Sequence, residues 1–151
     1  MRGIDYRVYD KDDNKIYKVG GFINDLPFID WSYDNDFEEY SVQDHYIVKN
    51  GELMQYTGLK DKNGKEICVG DIVVLSEIIY NNCSKSEIEG AKSCIGEIVN
   101  YKGLCMCVKY KDKNGDTLYR PLYLLEQDIT SDDCSLAIIG NIYENEDLLE
   151  K

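Results

Sequence analysis

Within residues 53–75, LMQYTGLKDKNGKEICVGDIVVL, two β-prone runs meet at Lys62-Asn63-Gly64. Asn-Gly between such runs is the strongest short hairpin signal that a sequence offers. Gly70-Asp71 then punctuates, and Ile72-Val73-Val74-Leu75 is short enough for a buried strand. The turn tract recurs. Leu59-Lys60-Asp61-Lys62-Asn63-Gly64-Lys65 resembles Tyr110-Lys111-Asp112-Lys113-Asn114-Gly115-Asp116, and both resemble Tyr9-Asp10-Lys11-Asp12-Asp13-Asn14-Lys15. A solenoid would need much more of each repeat to match. A recurrent turn needs only these residues: Asp and Asn bond their own backbone and tolerate left-handed geometry, and Gly takes positive φ freely. Each copy is therefore expected at a hairpin tip, with Gly64 and Gly115 at positive φ and Asn14 in their place in the first copy.

The rest of the chain reads mainly as strands. Residues 4–9 and 15–19 form a first hairpin, and 22–29 is a short edge strand interrupted by Pro27. A second hairpin turns at Asp34-Asn35-Asp36. Residues 76–93, SEIIYNNCSKSEIEGAKS, lose the alternation and read as a long loop with a helical turn near 86–91. Strands resume over 94–101, 104–110 and 117–125. An acidic connector covers 126–135, a last strand 137–143, and a terminal helical turn 145–150. The expected core is Ile67, Ile72, Val74, Ile98, Val108, Leu122, Ile138 and Ile142.

LMQYTGLKDKNGKEI followed by GDIV resembles the central signature of the YopX-like family of phage and prophage proteins. The opening, Met1-Arg2-Gly3-Ile4-Asp5-Tyr6-Arg7-Val8-Tyr9-Asp10, resembles the family's first strand. Ile138-Ile139-Gly140-Asn141-Ile142-Tyr143-Glu144-Asn145 resembles its last. The resemblance spans nearly the whole chain and departs over 20–48 and 76–95. It implies a phage origin and a β-rich, SH3-like barrel, and it carries over no catalytic residue. Together with the turns and short strands from Gly70 onward, it gives the expected fold. That fold is mainly β with little helix, a single domain in which residues 1–52 form an N-terminal β-hairpin layer. Residues 53–145 form an SH3-like small barrel bearing loop 76–93.

Charge bounds the function. Seventeen basic against 29 acidic residues leave the chain at −12, so it is repelled by nucleic acid and by anionic membranes. No leader or spanning stretch is legible. A cytoplasmic protein with reduced thiols is expected. The acids are segregated. Residues 19–48 hold seven and residues 121–150 hold eight, with no Lys or Arg in either tract. A surface built for solubility alone mixes signs. The first tract is also interleaved with Phe22, Phe28, Trp31, Tyr33, Phe37, Tyr40 and Tyr46. Carboxylates beside aromatic anchors suit a protein-binding face. The candidate partner-binding residues are Trp31, Asp34, Asp36, Phe37, Glu38 and Glu39 in the first tract. In the second they are Asp128, Asp132, Asp133, Glu144 and Glu146.

Other chemistry is poorly supplied. Cys105-Met106-Cys107 puts two thiols on one strand face, but structural zinc prefers paired cysteines in turns, so the thiols read as small buried hydrophobes. His45 is the one histidine and makes no triad. The Asp-rich turns lack the Gly and carboxylate that a calcium loop needs at its sixth and twelfth places. No catalytic residue, metal or cofactor is expected. The reading is a phage-encoded, non-enzymatic binding protein whose acidic surface engages a host protein with a basic surface. In its sharpest form that partner is a nucleic-acid-binding effector of host defence, inhibited as in anti-CRISPR mimicry. Direct nucleic-acid and membrane contacts are not expected, and homo-oligomers are allowed. A small enzyme with a paired-carboxylate site, or a self-associating phage component, are the alternatives.

Overall fold

The structure, a computed structural model, describes residues 6–30, 45–81 and 87–150. The chain divides into two compact units, Met1–Tyr56 and Thr57–Lys151. The boundary falls inside the strand Gly51–Lys60.

In the first unit, β1 (Tyr6–Asp10) and β2 (Lys15–Lys18) make the expected hairpin, with Val8 opposite Tyr17. Its turn holds Asn14 at φ 59°. The first half of β6 (Gly51–Lys60) pairs on the other side of β1. Three further strands form a second sheet: β3 (Gly21–Ile23), β4 (Leu26–Asp30) and β5 (His45–Ile47). Asn24 and Asp25 both hold positive φ, 52° and 65°, the two-residue turn whose twist matches its strands. The stretch around Pro27 is thus a hairpin, and Pro27 sits in the central strand instead of an edge. It is tolerated at the end of a ladder. Its carbonyl accepts the Val48 N–H at 2.9 Å, and only the returning N–H is missing. Val8, Ile29 and Val48 are buried together, with Tyr17 and Val19 against them.

The second unit is built on a five-stranded antiparallel sheet in the order β11-β10-β9-β8-β12. The strands are β8 (Asp71–Tyr80), β9 (Ile88–Tyr101), β10 (Cys105–Lys111), β11 (Thr117–Pro121) and β12 (Cys134–Asn141). The mainly β fold is as expected, and the sheet curls into a half-barrel. The short β7 (Glu66–Cys68) lies beside the end of β6, where the Thr57 hydroxyl donates to the Ile67 carbonyl at 2.8 Å. Ile67, Val73, Leu75, Ile98, Val108, Leu122, Leu125, Cys134 and Leu136 form the core. Five of the eight expected core residues are buried, Ile67, Ile72, Ile98, Val108 and Leu122. Val74, Ile138 and Ile142 are half-buried. Ile138 packs against the core, whereas Val74 belongs to the opposite face, because Val73 and Leu75 point inward and side chains alternate.

Two stretches differ from the sequence reading. Residues 76–80 and 88–93 are strand and no loop: Ser76 pairs with Ser93, Glu77 with Lys92 and Ile78 with Ala91, so β8 and β9 stay paired out to Tyr80 and Ile88. Its polar, irregular composition hid the alternation. The stretch read as strand and acidic connector instead contains helix α1 (Leu122–Thr130). No side chain caps it and its first turn holds no acid, so neither signal could mark its start. What makes it a helix is burial. Leu122 and Leu125 are buried one turn apart and Ile129 packs below them. A short 3₁₀ turn, Glu146–Glu150, ends the chain as expected.

The recurrent turns are alike in atomic detail. Asp61 Oδ1 accepts the N–H groups of Asn63 and Lys65, both at 2.9 Å. Asp112 Oδ1 accepts those of Asn114 and Asp116 at the same distance. Gly64 and Gly115 follow at φ 83° and 85°. Asp61 goes further: its Oδ2 accepts the Ile138 N–H at 3.1 Å, and Lys62 N–H donates to the Leu136 carbonyl at 2.9 Å. The first of the two full Asp-Lys-Asn-Gly turns thereby seals the outer edge of β12.

Valine at either Gly64 or Gly115 should cost about 1–3 kcal/mol through backbone strain, measurable by urea unfolding. Burial pushes the Asp61 carboxyl up, but its bonds from Ile138, Lys65 and Asn63, with the Lys65 charge, more than reverse this, and it titrates below the usual range. A depressed carboxylate stabilises above its unfolded pKa of about 3.9, and that stabilisation is lost as pH falls through the folded value. Asp61→Asn should therefore cost about 1–3 kcal/mol at pH 7, and part of that difference should vanish in the acid limb of a pH–stability curve.

Candidate partner-binding surface

The first acidic group, Trp31, Asp34, Asp36, Phe37, Glu38 and Glu39, lies outside the described residues, as does the hairpin expected there. The second group is described, and the fold divides it. Asp128 lies on α1 and Asp132 and Asp133 in the turn after it, at the Cys134 end of β12. Glu144 and Glu146 lie beyond the Asn141 end. Eight residues of strand put about 24 Å between those ends. The five acids are two clusters, not one face.

The cluster at α1 has an apolar neighbour that the sequence reading missed. Tyr123 and Leu124 are 65% and 59% exposed on the helix. Leu124 and Asp128 are four apart and share one side of it, as do Tyr123 and Gln127. Asp132 follows the helix end, exposed, at φ 64°. Asp133 has a structural role. Its carboxylate accepts from the Tyr80 hydroxyl and, at 3.1 Å, from Ser131, while its carbonyl accepts the Ile78 N–H. It holds the helix end against the β8–β9 hairpin.

The electrostatics of α1 run against its own dipole. The last turn holds no basic residue and the first turn no acid, while Asp128, Asp132 and Asp133 gather at the C-terminal end. The carbonyls of Glu126, Gln127, Asp128 and Ile129 accept bonds from residues 130–133, but the C-terminal end of a helix still carries partial negative charge, so carboxylates are disfavoured there and a cation from outside is favoured. An apolar pair could have been flagged in Leu122-Tyr123-Leu124-Leu125 once the helix was known, because only two of four consecutive apolar residues can face one core.

The cysteines are hydrophobes first. Cys94, Cys105, Cys107 and Cys134 are free thiols, Cys68 is buried, and Cys83 lies outside the described residues. Cys105 and Cys107 share a strand face, with sulfurs 3.5 Å apart. Burial and the neighbouring Cys105 push Cys107 to about 11. Burial raises Cys94 and Cys134 too. Thiols held protonated are poor nucleophiles and poor ligands. Among the described residues no group of three or more His, Cys, Asp or Glu is arranged to hold a metal ion.

One carboxyl stands apart. Glu97 lines a groove of about 620 Å³ with Val74, Ile95, Lys109 and Thr117. Burial raises it, Lys109 pulls it down, and Glu146 adds to the rise. A raised carboxyl favours the fold below its unfolded pKa, and that contribution is lost as pH climbs through the folded value. Glu97→Gln should consequently melt higher than the parent at pH 7, and the gain should disappear below about pH 4, near the ordinary glutamate pKa. A differential scanning series across pH measures this.

Among the described residues no helix is long and apolar enough to cross a membrane. A search of the curated proteins finds no match. Among solved structures the chain is similar to protein EF1440 from Enterococcus faecalis, at 23% identity over 99% of each chain, with a TM-score of 0.48. The family model described as YopX protein matches residues 5–150, nearly the full length. The chain belongs to the YopX family.

Proposed function

We propose that this protein is a non-enzymatic, phage-encoded binding protein whose acidic surface engages a basic face of a host protein. The observation that carries the reading is the outer side of α1. Exposed Tyr123 and Leu124 lie in the first turn of the helix, Leu124 one turn before Asp128 on the same side, and Asp128 and Asp132 gather toward its negative end. Such an arrangement offers an apolar anchor and a field that steers a cationic surface toward it. The first acidic tract, Asp34, Asp36, Glu38 and Glu39 with Trp31 and Phe37, adds charge of the same sign. In the sharper form of the proposal, the partner is a nucleic-acid-binding effector of host defence, and the carboxylates occupy a Lys/Arg groove meant for phosphates. The net charge of −12 supports that form, since it opposes direct nucleic-acid binding by this chain.

A second reading, a small enzyme with a carboxylate site, draws on Glu97 alone: a raised carboxyl in a groove beside Lys109. It predicts a hydrolytic turnover that Glu97→Gln abolishes.

Surface plasmon resonance against purified host RNA-guided effectors tests the leading reading. Binding should weaken steeply with salt and be competed by the effector's own nucleic acid. Asp128→Asn with Asp132→Asn should slow association. Leu124→Ala should speed dissociation, at about 2 kcal/mol if it is an anchor, with the melting curve unmoved because the side chain is exposed. If these variants and the neutralised first tract bind as the parent does at every salt concentration, the acidic-surface reading is wrong.

A further inference from the structure

β9 is longer than its neighbour on one side. β10 pairs with it only from Tyr101 to Gly96. Ile95 lies opposite Lys111, the last residue of β10. From Cys94 back to Ile88, β9 pairs with β8 alone, and no described strand lies on its other side. Ile98 gives its carbonyl to the Gly70 N–H on the β8 side. Rungs alternate along an antiparallel strand, so Ala91 and Ser93 direct their N–H and C=O groups to the open side, whereas Ile95 directs its own toward Lys111 at the end of β10. The contrast with β12 is direct, for that edge is sealed by the Asp61 turn.

Two grooves flank this open edge, one on each face of the sheet, since Ile95 and Cys94 alternate. The first, about 620 Å³, has Val74, Ile95 and Leu149 in its wall. The second, about 520 Å³, has Leu75, Cys94 and Leu118. Both fall in the range of ligand-sized clefts. Their charge is unlike that of the chain. In a protein of net charge −12, the second groove holds Lys92, Lys111, Lys113 and Arg120 against Glu77 and Asp112. Lys92, at 3.7 Å, and Arg120 share Glu77. Lys111 and Lys113 make no ion pair among the described residues.

We propose that this edge is a docking site for an extended acidic peptide of a partner protein. The peptide adds as a strand beside residues 89–94, beyond the end of β10, and its backbone takes the open rungs of Ala91 and Ser93. Its side chains alternate. One set enters the groove of Val74, Ile95 and Leu149, and carboxylates meet Lys111, which lines both grooves, and Lys113 in the second. This surface takes the opposite charge to the one on α1 and is independent of it.

Fluorescence anisotropy with a labelled ten-residue peptide of alternating Glu and Val tests the proposal. It should bind saturably and at least tenfold tighter than its Lys and Val counterpart. N-methylation of every second residue, which removes strand hydrogen bonds and keeps the charge, should weaken it at least tenfold. Ser93→Pro should abolish binding without loss of sheet structure by circular dichroism, since the Ser93 N–H faces the open side and serves no existing rung. Lys111→Glu with Lys113→Glu should weaken binding at least tenfold. If the proline variant fails to fold, the charge-reversed variant and the N-methylated peptide still decide. Equal binding of the two peptides, unchanged binding after N-methylation, or no saturable binding overturns the proposal. A concentration-dependent dimer in sedimentation that Ser93→Pro dissolves also overturns it, by showing that the edge takes a second copy.

Discussion

Asp61 gathers three backbone N–H groups around one carboxylate: Asn63 and Lys65 from its own turn, and Ile138 from the last strand. The first two bonds are local and shape the turn. The third reaches across 77 residues of sequence and ties that turn to β12. A buried carboxylate is costly unless it is hydrogen-bonded, and a satisfied one is worth more than a neutral acceptor. Here both oxygens are used. The result is a half-barrel with one edge closed by a turn rather than by a strand, and a core of Ile67, Val73, Leu75, Ile98, Val108 and Leu136 behind it. Asp112 makes the same turn without the long-range bond, so the recurrence in the sequence is a recurrence of local chemistry, with one copy recruited to hold the sheet.

The same sheet leaves a different edge open. β10 stops at Lys111 and β9 continues. Exposed edges are usually blunted by charge, bulges or covering loops. Lys92 and the register shift between Ile79 and Tyr80 serve that end, yet cationic and apolar grooves remain on either side. The molecule thus presents two surfaces of opposite sign: carboxylates with Tyr123 and Leu124 on α1, and lysines around the open end of β9. A protein-binding role uses both without contradiction, since each selects by charge and each carries an apolar component.

Much of this was legible in the residues. The three hairpin tips, the positive φ of Gly64, Gly115 and Asn14, the family and the mainly β class all follow from turn chemistry and a long motif. The helix was not legible, because its start is uncapped and its four apolar residues read equally as a strand. The outer part of the β8–β9 pair was obscured because Ser, Lys and Glu occupy rungs where alternation depends on a few residues such as Ile78 and Ile88. Pro27 argued against a central strand and was overruled by its place at the last rung. The acidic site was only partly legible. Composition flagged Asp128 and Asp132 but could not separate them from Glu144 and Glu146, whose distance is set by the length of β12. The apolar partners Tyr123 and Leu124 became visible only once α1 was seen to bury Leu122 and Leu125.

The account rests on one edge being sealed and another being open, and amide hydrogen exchange resolved by residue reads both at once. Ile138 and Lys62 should exchange slowly, as groups bonded across the closed edge. Along β9, Lys92 and Cys94 should be slow because they face β8, while Ala91 and Ser93 exchange orders of magnitude faster. Uniform protection from residue 91 to 94, or fast exchange at Ile138, would contradict it.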